Sequence, residues 1–97
     1  MSYSGFINKD TYEFVVYMEN LTGFYKMARA FVGDHAVNSV ECFGFIAAVD
    51  ALCAGQLDEY SDAATMRQYV RNFGDVDAVA VADRLNELFE NEGYVTV

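Results

Sequence analysis

The side chains able to do nucleophilic or acid–base chemistry are few in this chain of 97 residues: two cysteines, Cys42 and Cys53, and one histidine, His35. A thiol–imidazole pair works when the thiol is driven toward thiolate in a partly exposed, electropositive setting. Both cysteines instead fall in the most apolar stretch, Val40 to Ala54, while His35 lies in Gly33-Asp34-His35-Ala36, an interhelix loop remote in sequence from either. A Ser-His-Asp arrangement would need the same histidine, and no glycine-rich phosphate loop is present. No catalytic residue and no cofactor are therefore expected, and the chain is read as a non-enzyme. The two cysteines are eleven residues apart on one helix, which separates them by roughly 16 Å along its axis, beyond the ~7 Å Cα limit of a disulfide. They are read as buried thiols of a reducing compartment.

Metal chemistry is not expected either. Asp75 and Asp77 resemble the start of a calcium loop, but its fifth, sixth and twelfth positions hold Val79, Ala80 and Asn86 instead of a ligand, a glycine and a bidentate glutamate. Capping of a helix by Asp75 or Asp77 accounts for the same residues. Leu57-Asp58-Glu59-Tyr60-Ser61-Asp62 is a second acidic cluster, placed in a loop before a helix start.

The elements that would carry these residues are helical. With no proline, glycines and small polar residues mark the boundaries. Asp10-Thr11-Tyr12-Glu13 reads as a capping box opening a helix that runs to about Asn20, although Tyr12 and Phe14 to Tyr17 are also good strand formers. Phe24, Met27, Ala28 and Phe31 repeat at helical spacing after Thr22-Gly23 and before Gly33. Asn38 or Ser39 caps a third helix that is apolar around nearly its full circumference, which places it at the centre of the fold, closed by Gly55. Ser61 or Asp62 caps a fourth, expected to reach Phe73 with Arg67 and Arg71 paired outside. A fifth follows Asp75 or Asp77, with Val81, Ala82, Leu85, Leu88 and Phe89 facing in. The termini, Ser2 to Ile7 and Gly93 to Val97, are aromatic or β-branched and allow a short β pairing. At 10.8 kDa, with no repeat or linker, residues 1–97 read as one acidic all-α domain, a bundle of about five short helices.

Charge and aromatic residues carry the remaining signal. Fifteen acids against six basic residues give a net charge of -9. That argues against direct binding of nucleic-acid phosphates or anionic lipid, while 54% hydrophobic residues argue against disorder. The charge is lopsided: net -2 from Met1 to Ala48 and -7 from Val49 to Val97. Asp83, Glu87 and Glu90 form an outward row, and Asp58, Glu59 and Asp62 extend it. Together with Tyr60 and Tyr69, whose apolar body and polar tip suit an interface, these are the candidate binding residues. A solvated face that keeps an apolar domain soluble explains the same acids without a partner. The longest apolar run, Cys42 to Val49, is far short of a membrane span, and the opening Met-Ser-Tyr-Ser-Gly-Phe lacks the basic and apolar regions of a signal peptide, so the cytoplasm is expected.

The run Thr11-Tyr12-Glu13-Phe14-Val15-Val16-Tyr17-Met18-Glu19-Asn20, with Gly23-Phe24-Tyr25 and Ala28-Arg29, resembles the opening motif of a family of short uncharacterised tailed-phage proteins. The resemblance implies phage ancestry and no assigned activity. By analogy with small acidic phage proteins, it points to an inhibitor whose acidic surface copies nucleic acid and occupies a basic site on a nucleic-acid-handling host protein, of anti-CRISPR or anti-restriction type, in the host cytoplasm. The alternative is a non-catalytic structural or adaptor module that buries its excess apolar surface as a homodimer.

Overall fold

The computed structural model describes residues 5–55 and 61–90 of the chain. Helix α1, Lys9–Asn20, begins where Asn8 lies extended and its side chain accepts the Thr11 N–H at 2.8 Å. Asn8, and not the expected Asp10, is thus the cap. The Asp10 carboxylate is engaged elsewhere, accepting the backbone N–H of Arg71 at 2.9 Å. Thr11, Phe14, Val15 and Met18 are the buried residues of α1. That is one helical stripe, and burial at period 3.6 overrides the strand propensity of the same residues.

Helix α2, Thr22–Val32, buries Phe24, Ala28 and Val32 and stops at Gly33, whose φ of +63° is open to glycine at little cost. Helix α3, Ser39–Gly55, starts with a complete capping box: the Glu41 N–H reaches Asn38 Oδ1 at 2.8 Å and the Asn38 N–H reaches Glu41 Oε1 at 3.1 Å. Helix α4, Asp62–Tyr69, is capped by Ser61, whose hydroxyl accepts from the Ala64 N–H. It ends four residues before the expected Phe73. Donors beyond it are taken by side chains instead of a helical ladder: Arg71 N–H by Asp10 and Gly74 N–H by Asn72 Oδ1. The chain passes through a 3₁₀ turn, Phe73–Asp75, into helix α5, Ala78–Glu90, where Asp77 Oδ1 accepts the Val79 N–H at 3.0 Å. Arg67 and Arg71 consequently do not share a helix, and Arg67 donates to the Cys53 carbonyl instead.

The expectation of a fully enclosed α3 is corrected. It packs against α5, α4 and the 3₁₀ turn through Cys42, Phe45, Ile46, Val49 and Cys53, while Val40, Phe43 and Leu52 stand 75%, 64% and 48% exposed. A bundle of a few short helices has too few elements to surround one of its own members. The core runs between the helices through aromatic contacts, with Phe14 edge-on to both Phe45 and Phe73 and Phe45 stacked on Phe31. No strand forms among the described residues, where Phe6 carries only an isolated β-bridge; the rest of the expected terminal pairing, residues 2–4 and 93–97, lies outside them. No helix among them is long and apolar enough to cross a membrane.

Candidate functional site

Of the acidic residues singled out from sequence, α5 carries Asp83, Glu87 and Glu90, and α4 carries Asp62. Asp83, Glu87 and Glu90 all stand exposed along α5, where i, i+4 spacing keeps them on adjoining turns. Arg84 rises among them. Its guanidinium grips the Glu19 carboxylate of α1 through Nε at 3.0 Å and Nη2 at 2.5 Å, and reaches Glu87 at 3.4 Å. Two parallel bonds of this kind are the strongest arrangement an arginine makes with a carboxylate, and Glu19 is the first cause holding the Arg84 pKa above its ordinary value. The field of Glu87 is therefore partly cancelled. Asp83 and Glu87 line a depression of about 230 Å³ beside Gly5 and Phe6.

Asp62 has an internal partner. Leu21 precedes α2 without a side-chain cap, and Asp62 Oδ2 supplies the missing acceptor to the Gly23 N–H at 2.8 Å. A Cβ at position 23 would sit 2.7 Å from that oxygen, so a larger residue there would make the Asp62 carboxylate shift from this contact. Tyr69 stacks on Tyr17 with ring centroids 4.4 Å apart and stays partly exposed. Partial desolvation, then the Tyr69 hydroxyl, raises the Tyr17 pKa. Asp58, Glu59 and Tyr60 lie outside the described residues.

The groups with nucleophilic chemistry are quiet. Burial, with Glu41 second, pushes the Cys42 thiol up to about 11, and burial likewise raises Cys53. His35 is on the surface with its Nδ1 2.8 Å from Asp34 Oδ1, a pairing that raises the histidine and lowers the aspartate. Among the described residues no group of three histidine, cysteine or acidic side chains is placed to hold a metal ion. Asn86, the failed twelfth position of the calcium pattern, instead clamps Val37 by accepting its N–H and donating to its C=O, both at 2.8 Å.

What sequence reasoning missed is the outer side of α3. Val40, Gly44, Ala47 and Ala51 follow at i, i+4, i+7 and i+11, opposite the buried Cys42 and Val49, and all four are exposed. Phe43 flanks them on one side and Leu52 on the other. No directional signal in the sequence marks it: the only charged residues of α3, Glu41 and Asp50, are nine residues apart and so lie on opposite sides of the helix. No family model, curated protein or solved structure matches this chain. The fold and surfaces define an acidic all-α bundle with a carboxylate row on α5 and, among the described residues, an uncovered apolar face on α3.

Proposed function

We propose that the protein is a non-catalytic inhibitor or modulator that binds a basic surface on a nucleic-acid-handling protein, of the type with which phages block host restriction or CRISPR complexes. The observation that supports this reading is the exposed row Asp83, Glu87 and Glu90 on α5, in a chain of net charge -9. Carboxylates in a row on a rigid helix present a fixed pattern of negative charge, and such fields chiefly raise association rates and select basic partners. Asp83 and Glu90 are the informative pair, because replacing Glu87 also disturbs Arg84 and its bridge to α1.

The test is competition with duplex DNA for restriction and CRISPR effector complexes at two salt concentrations. Raising salt from low to physiological strength is expected to slow association on the order of tenfold, and Asp83→Lys with Glu90→Lys is expected to weaken binding at least as much while leaving the helical signal unchanged. Binding that ignores both salt and charge reversal would sink the reading.

A further inference from the structure

The uncovered side of α3 is a ridge between two apolar grooves. One, of about 570 Å³, is formed with α2 by Met27, Ala30, Phe31, Gly44 and Ala48. The other, of about 220 Å³, is formed with the 3₁₀ turn by Phe43, Ala47, Phe73 and Val76. Each groove has a single charged lining residue, and in both it is a carboxylate: Glu41 in the first and Asp50 in the second. Soluble monomers seldom leave a contiguous apolar face of this kind without a partner. Small residues at positions 44, 47, 48 and 51 let a second backbone approach closely, while the bulk of Phe43 and Leu52 borders the seat.

We infer that this face seats an amphipathic helix of another protein, with an apolar stripe laid along α3 and lysine or arginine on both flanks to meet Glu41 and Asp50. The inference rests on the reading that the partner is basic, and adds to the carboxylate row of α5 a second contact on α3. Charge selects this occupant over a second copy. The seat offers two carboxylates and no cation of its own, and each further copy would bring another net charge of -9. A helix docked by an apolar stripe with complementary flanking charges is a common mode of recognition.

A fluorescent synthetic peptide of leucine, alanine and lysine, about five turns long with leucines at i, i+3, i+4 and i+7, is the probe, titrated with the full chain and read by anisotropy. Saturable binding is expected, and the same peptide with glutamate for lysine should bind at least about tenfold more weakly, a difference of ~1.4 kcal/mol. Ala47→Arg, which places bulk and like charge on the exposed seat, should weaken the lysine peptide by a similar factor with unchanged circular dichroism and melting. Ala51→Gln, bulk without charge, should also weaken it. Asp83→Lys with Glu90→Lys should leave it within about threefold, since α5 packs on the buried side of α3 and exposed charges are screened over ~8 Å. Equal binding of the glutamate peptide, or indifference to Ala47→Arg, overturns the inference. So does sedimentation showing a dimer that Ala47→Arg dissociates, which gives the face to a second copy. Loss of peptide binding through the α5 reversal alone would also overturn it while leaving the proposed function standing; peptide binding as inferred, without salt-sensitive DNA competition, would sink the proposed function alone.

Discussion

The thiols and the imidazole are the residues on which any enzymatic reading would rest, and their surroundings decide their chemistry. Cys42 and Cys53 are buried in the inner face of α3, and desolvation disfavours the thiolate that would attack or be attacked. In the folded protein both are expected to resist an aromatic disulfide reagent at neutral pH and to react once the chain is denatured; rapid native labelling would contradict the burial. His35 is the opposite case, exposed and held by one neighbour. Its NMR titration midpoint should lie above the ordinary ~6.5 and fall back in Asp34→Asn. The linkage follows in sign. The raised histidine contributes while pH is below its unfolded value and loses this as pH rises through its folded value. The lowered Asp34 contributes above its unfolded value and loses this as pH falls through its folded value. The pair is thus intact between the two folded-state values, at a surface where solvent weakens it.

At the scale of elements, polar side chains far apart in sequence set where helices begin, stop and dock. Asn86 is the clearest, one amide satisfying both backbone groups of Val37 and so holding the loop before α3 against α5. Asn86→Ala removes both bonds at a part-buried site and is expected to destabilise by ~1–3 kcal/mol, some 4–8 °C in Tm per kcal/mol, measured by thermal unfolding. A loss below a few tenths would mean that water replaces the clamp. The inward stripes of α2 and α5 were legible in sequence because apolar spacing at 3.6 residues is a local property: Phe24 and Ala28, and Val81, Ala82, Leu85 and Phe89, are all buried. The end of α4 was not legible. The acceptor that takes the Arg71 N–H is Asp10, 61 residues earlier, and no window around Arg71 contains it.

For the whole molecule, charge and exposure pull in different directions. A net charge of -9 on a small chain repels itself in the compact state and opposes association of copies through the exposed Val40, Phe43 and Leu52. Screening should relieve the repulsion, so Tm is expected to rise by a few degrees between ~0.01 and ~0.15 M salt, where the Debye length shortens from about 30 to about 8 Å. A fall in Tm over that range would show that the Arg84–Glu19 bridge and similar pairs outweigh the repulsion. The acidic half was plain from counting residues, yet its division into the exposed Asp83 and Glu90, a partly neutralised Glu87 and an internally engaged Asp62 was not.

Sequence by itself determined that this chain is helical, acidic and poor in reactive groups, because helix periodicity, composition and the scarcity of histidine and cysteine need no knowledge of neighbours. Only the tertiary structure decided which side of α3 is covered. An all-apolar helix carries no directional signal of its own, and the side it buries is chosen by where α4, α5 and the 3₁₀ turn come to rest. The structure likewise decided which carboxylates remain available, since Asp62 meets Gly23 across 39 residues of chain and Glu19 meets Arg84 across 65.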